Sequence, residues 1–302
     1  MNPETVPDPQ AALRVVREQK NAGYDHLKIL GALSLEAYDA VAAAAKKYQL
    51  DFTGHVPPAV GPLHAMRAGQ RTIDHMDRYV ESLGPGVEAI DTDKMAALVT
   101  TAVETGVWTV PTMAYRDNAF SNETGDELRR RYPEVKYLPK SHIDDWVRQK
   151  DETVENAKGR PAQGFTRGGE TGEHMRALRC QMLRALHEGG ARVVFGTDSP
   201  QLFNVPGFAI HHEMRMMVQC GFTPYEVLDS ATVKAAEYFG TSAEVGTIAS
   251  GKRADLMLLE ANPLEDIVSV VRRAGVMVRG HWIPESEIQQ RLARYAESSA
   301  KN

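Results

Sequence analysis

Apolar and polar residues alternate in short runs along the first two thirds of the chain, and each run follows a stretch of helical period. The helical stretches are Ala11 to Asn21, stopped near Gly23, the alanine-rich Leu35 to Tyr48, Gly61 to Ala68, ended at Gly69, and Asp93 to Thr105. The strand-like runs are Tyr24 to Leu30, Leu50 to Val56, Arg71 to His75 and Val107 to Val110, with a fifth at Val193 to Ser199. This β/α rhythm at short spacing predicts a parallel sheet or barrel.

A charged excursion from Pro111 to about Thr171 interrupts the rhythm, with helical patterns at Asp126 to Arg131 and Ile143 to Ala157. Stretches this long are usually functional lids or insertions. Glu173 to His187 is amphipathic and ends at Gly189-Gly190. Helices follow at Ile210 to Cys220, at Thr223-Pro224-Tyr225-Glu226, which supplies a cap, a first-turn proline and a capping-box glutamate, and at Val233 to Phe239. The pattern then predicts a hairpin of Val245 to Ala249 with Ala254 to Glu260, turning at Ser250-Gly251. A strand at Val276 to Trp282 and a terminal helix at Glu285 to Glu297 follow. Five barrel-type strands are found where a closed barrel needs eight, so the remaining ones are expected upstream of Met1.

Four side chains near the ends of these runs carry the candidate chemistry: Lys28, His55, His75 and Asp198. In a strand, Leu27 and Ile29 point one way and Lys28 the other. In a parallel barrel, inward side chains near strand ends reach a common mouth, where two imidazoles, a carboxylate and a lysine would make a divalent-metal site. Each residue also has a bland reading. His55 and His75 suit hydrogen-bonded core or loop histidines, Lys28 a solvent-facing edge lysine, and Asp198 a cap or Asx-turn. The functional reading of Lys28 is a carbamate, formed by capture of carbon dioxide, able to bridge two cations. His211-His212-Glu213 reads as a helix start, because adjacent helical residues do not face one another.

Bulk properties narrow the field. At 302 residues, 42% hydrophobic and 25% charged, the chain is ordinary soluble globular material. A net charge of -5 and the lack of a basic stripe argue against nucleic-acid binding. No apolar run is of membrane-spanning length, and Met1 to Lys20 shows no signal-peptide core, so the expected location is cytoplasmic. Cys180 and Cys220 are the two cysteines. A disulfide framework is not expected; the two could pair, but buried free thiols are the commoner case. Phosphate-loop, dinucleotide, nucleophile-elbow and His-Glu-x-x-His motifs are absent from the sequence.

Gly54-His55-Val56-Pro57, Asp74-His75, Gly196-Thr197-Asp198-Ser199 and the stretch Pro224 to Ile267 resemble the amidohydrolase superfamily, in its imidazolonepropionase-like and prolidase-like branch. The resemblance implies an α/β chain forming a partial TIM-type barrel of about strands four to eight. A small C-terminal β-sandwich half and a terminal helix would complete it, with residues 1–240 as the incomplete barrel, 111–171 as its insertion and 241–302 as the sandwich portion. It implies Lys28 as the bridging carboxylated lysine, His55, His75 and Asp198 as further ligands, and Asp198 as the catalytic base. Tyr115 and Arg116 are expected substrate contacts. The cofactor implied is zinc (Zn2+), two ions in the intact family and one or none here, since the family's His-x-His pair does not occur in this sequence. The expected activity is metal-dependent hydrolysis of amide-type carbon–nitrogen bonds, on a dipeptide or cyclic amide, by a homo-oligomer. The alternatives are a truncated, non-catalytic remnant or scaffold and an unrelated doubly wound binding protein.

Overall fold

Asp8 starts the first helix: its carboxylate accepts the Ala11 N–H at 2.8 Å, and Pro9 follows with its preset φ. The computed structural model describes residues 6–31, 33–83, 90–157 and 171–299. They fall into two units, Met1–Pro111 with Gln181–Val193 and Thr112–Cys180 with Val194–Asn302.

In the first unit α1 (Pro9–Asn21) lays Ala12, Val15 and Val16 toward α2 (Leu35–Tyr48). The alanine-rich face of α2 answers with Ala37, Val41, Ala44 and Ala45, so the helices approach with little side chain between them. Strand β1 (His26–Ile29) pairs in parallel with β2 (Asp51–Gly54), His26 opposite Asp51 and Ile29 opposite Gly54. After α3 (Pro62–Arg67), β3 (Thr72–Asp74) joins in through the Arg71 N–H, which donates to the Phe52 carbonyl at 2.8 Å. α4 (Thr92–Thr105) leads to β4 (Trp108–Val110), which pairs in parallel with β3 and with β5 (Arg192–Val193). β1 and β2 thus form a two-stranded parallel sheet and β3, β4 and β5 a three-stranded one, with the Arg71–Phe52 bond joining β2 to the start of β3. Ile29, Phe52, Ile73, Trp108 and Val193 are all buried, and the register sets Ile73, Thr109 and Val193 side by side on one face.

The second unit opens with α5 (Met113–Phe120) and α6 (Gly125–Arg131), whose Thr124 and Glu127 form a reciprocal capping box. A 3-10 turn at Pro133–Tyr137, α7 (Lys140–Ala157) and α8 (Thr171–Glu188) follow, α8 belonging to this unit only as far as Cys180. Leu128, Tyr132, Ile143, Trp146, Phe203 and Val205 make a common core here. Then come α9 (Ala209–Gln219), α10 (Pro224–Ala231), with the expected Thr223/Glu226 capping box, and α11 (Val233–Phe239). A three-stranded antiparallel sheet, β6 (Leu256–Leu259), β7 (Arg273–Val278) and β8 (His281–Pro284), precedes α12 (Glu285–Ser299).

Four expectations are corrected. Val245 to Ala249 is not a strand. Lys252 Nζ donates to the carbonyls of Ser242, at 2.7 Å, and Val245, curling the segment into a loop, and Ile248 stands 88% exposed. The partner of β6 is instead β7, and Val276 to Trp282 breaks at Arg279-Gly280. Both of these residues have positive φ, as a tight hairpin requires, and β8 follows. Cys180 and Cys220 are not free thiols: α8 and the end of α9 bring their Cα atoms to 4.6 Å and the sulfurs are bonded. The expected strand Val193 to Ser199 is regular only at Arg192–Val193. Residues 158–170 of the charged excursion lie outside the described residues. Among the described residues no helix is long and apolar enough to cross a membrane.

Candidate active site

The C-terminal ends of β1, β2 and β3 carry Lys28, His55 and His75. Gly54 lets the first two strands close up. Its φ is +112°, and a Cβ there would sit 2.5 Å from the Ile29 carbonyl oxygen and 3.0 Å from Lys28 Cδ. The next residue is thereby held to β1, the His55 N–H donating to that same carbonyl at 2.9 Å. Past β3 the backbone turns sharply, with His75, Met76 and Arg78 all at left-handed φ between 53° and 64°. Such conformations cost energy in non-glycine residues and persist only where surrounding structure imposes them. Here the His75 N–H is pinned to the Val110 carbonyl at the end of β4, 2.7 Å away.

These backbone constraints bring the imidazoles of His55 and His75 into ring contact, centroids 4.7 Å apart and planes at 40°. His75 is buried, while His55 keeps 30% of its side chain exposed. Asp77 Oδ2 lies 2.5 Å from His55 Nδ1. A carboxylate on Nδ1 fixes the ring and leaves Nε2 as the lone-pair nitrogen. Lys28 Nζ donates to Asp74, whose other oxygen accepts from Thr72 Oγ1 at 2.8 Å. Beneath the pair sits buried Gln70. Its amide nitrogen donates to the carbonyls of Gly54, at 3.0 Å, and Thr72, at 2.8 Å, and its oxygen accepts from Tyr38 Oη at 2.5 Å. Among the described residues no group of three or more His, Cys, Asp or Glu side chains gathers as a ready metal cluster.

Asp198 belongs to the second unit. It has left-handed φ of 57° within a loop braced by Asn204, whose side chain donates to Thr197 O and whose carbonyl accepts from Ser199 Oγ at 2.6 Å. Tyr115 and Arg116 are on α5, and the Arg116 guanidinium stands between the Tyr115 and Phe120 rings, 5.7 and 5.9 Å from their centroids. The structure thus places His55 against His75 and Lys28 against Asp74.

Sequence reasoning missed other buried polar groups. Glu213, fully buried on α9, accepts the Met113 and Ala114 N–H groups at 2.8 Å each. Burial pushes its carboxyl up to about 7, against the pull of those donors and of Arg179. Its neighbours diverge, as adjacent helical residues must. His212 Nε2 bonds Glu134, and His211 is pushed down to about 4, by burial first and then by Arg273. Asp74 and Asp77 flank His75 in the sequence, but their partners Lys28 and His55 lie at the ends of other strands.

The family model described as the amidohydrolase family matches residues 27–283. The chain belongs to the amidohydrolase family. Among curated relatives, the imidazolonepropionase of Rubrobacter xylanophilus is 39% identical over 83 residues, 26% of this chain and 19% of that protein. The adenine deaminase of Roseobacter denitrificans is 34% identical over 73 residues, 24% and 12% of the respective chains. Among solved structures, a bottromycin amidohydrolase superposes with a TM-score of 0.69 at 23% identity, over 96% of this chain and 62% of that one. A Xaa-Pro dipeptidase with bound methionine in its active site gives 0.57 at 24%, over 92% and 59%. At these identities the two structures speak for a shared fold. This amidohydrolase-family chain spans about three fifths of their length and under a fifth of those two curated relatives.

Proposed function

We propose that the protein is a metal-dependent hydrolase of amide-type carbon–nitrogen bonds in a small molecule, either a dipeptide or a cyclic amide. The observation that carries the reading is the His55–His75 contact at the ends of neighbouring parallel strands, with one ring oriented by Asp77. The donor set fits a divalent cation: two imidazoles side by side, one presenting Nε2, suit zinc by ligand type. Lys28, His55, His75 and Asp198 are the residues assigned to hold it, Lys28 after conversion of its amine to the carbamate. A bound cation supplies carbonyl polarisation and a water of lowered pKa. Asp198 is assigned to accept the proton of the attacking water and return it to the departing nitrogen. Tyr115 and Arg116 are assigned to the substrate. The strands β1 to β5 are read as the latter part of a TIM-type barrel, and β6 to β8 as half of a small sandwich.

A non-catalytic scaffold is the second reading, favoured by the Lys28–Asp74 ion pair, because an ammonium is not a metal ligand. Elemental analysis of purified protein, alone and as His55→Asn and His75→Asn, together with amide turnover of Asp198→Asn, decides between them. The hydrolase reading expects bound metal that falls at least tenfold in the histidine variants, and turnover that falls at least a hundredfold in Asp198→Asn with metal retained. Metal-free wild-type protein, or full turnover in Asp198→Asn, overturns it.

A further inference from the structure

Both ends of α5 meet a buried charge of the sign its dipole favours. At the N-terminus the two Glu213 oxygens take the Met113 and Ala114 N–H groups, which have no acceptor within the helix. At the C-terminus the Lys150 ammonium, fully buried on α7, donates to the carbonyls of Asn118 at 2.7 Å and Ser121 at 2.6 Å. A carboxylate at the first turn and an ammonium at the last both oppose the helix macrodipole. The middle of the helix is gripped as well. Asp117 faces Arg131 of α6 at 3.7 Å and Arg176 of α8 at 3.4 Å, and Asn118 accepts from Tyr132 Oη at 2.6 Å.

Eight residues of poor amphipathic pattern do not hold themselves helical in water. Burying a glutamate and a lysine is costly unless each is fully engaged, so the expense has to be matched by something the helix does. We infer that Glu213 and Lys150 are positioning residues which clamp α5 from its two ends and thereby fix Tyr115 and Arg116 as a rigid specificity element for the substrate. The clamp sets how tightly substrate is held and leaves the bond-breaking groups alone. The assignment of Tyr115 and Arg116 to substrate rests on the hydrolase reading above, while the clamp itself does not.

Amide hydrogen exchange on the whole protein tests it. First-turn helix amides ordinarily exchange quickly, so the clamp expects Met113 and Ala114 to exchange at least a hundredfold slower than the first-turn amides of α7. In Glu213→Gln and Lys150→Met, protection across Met113–Phe120 is expected to drop at least tenfold while α2 keeps its own. KM for the amide substrate is expected to rise about tenfold with kcat within twofold. Fast exchange at Met113 and Ala114 in the wild type, or unchanged α5 protection in both variants, overturns the clamp. If a variant loses protection everywhere, the wild-type rates alone decide for or against it. Should the wild type turn over no amide, the hydrolase reading falls and the exchange rates still judge the clamp.

Discussion

The two units solve the problem of placing a candidate functional side chain in different ways. In the first, backbone does the placing. Parallel register, a glycine that admits close strand contact and a left-handed turn after β3 direct His55 and His75. In the second, buried charges and a covalent crosslink do it. Glu213, Lys150 and the Cys180–Cys220 bond tie together helices that share little regular pairing. Strand placement resists pH and reducing agents. Charge and sulfur placement does not, and that contrast can be tested.

The largest effect should come from the disulfide. Closing a loop with a sequence separation of 40 restricts the unfolded chain by about 4 kcal/mol in the entropic account. Cys180→Ser with Cys220→Ser should lower stability to urea by that order, and hydrogen exchange should show the loss in α5 to α9 ahead of β1 to β4. An equal loss in both units would erase the distinction between them. Gly54→Ala is next. Its Cβ meets the Ile29 carbonyl at 2.5 Å in a conformation closed to alanine, so about 3 kcal/mol should be lost, concentrated in the first unit.

Glu213 supplies a pH dependence. Its folded-state pKa, about 7, lies above the ordinary glutamate value of 4.5, so the folded protein binds the extra proton between these values. The Glu213 contribution to stability is then greatest below about 4.5, falls as pH rises toward 7 and levels off above, by about 3 kcal/mol over the whole range. Urea titrations at pH 5 and 8 check it, with Glu213→Gln expected to flatten the difference. The smallest effect is Thr124→Ala, which removes the capping box of α6 for about 1 kcal/mol, seen as a small drop in thermal midpoint.

The same contrast decides what could be read from sequence. Leu35–Tyr48 and Val233–Phe239 were legible to the residue, because periodicity and a terminal cap are local facts. The strand ends bearing Lys28, His55 and His75 were legible for the same reason. The N-terminal helix of the charged excursion was not, since Met113–Phe120 has little apolar periodicity and owes its ends to residues far along the chain. A trace of that was present: Lys150 occupies the buried face of α7 marked by Ile143 and Trp146, where a cation needs a buried partner. The cysteine bond was left open by the sequence because the pairing depends on how α8 meets α9, which no local pattern records. Val245 to Ala249 reads as a strand by its Val, Thr and Ile content, yet the Lys252 ammonium drawing in the Ser242 and Val245 carbonyls holds it as a loop.

Gln70 gives the histidine pair one last property. A single carboxamide holds the end of β2 and the start of β3 by their carbonyls, and Tyr38 holds that carboxamide in turn. The two rings are therefore mechanically ganged, like the jaws of a calliper on one screw. Anyone redesigning their spacing would have to begin at Tyr38 and Gln70, well away from the rings themselves.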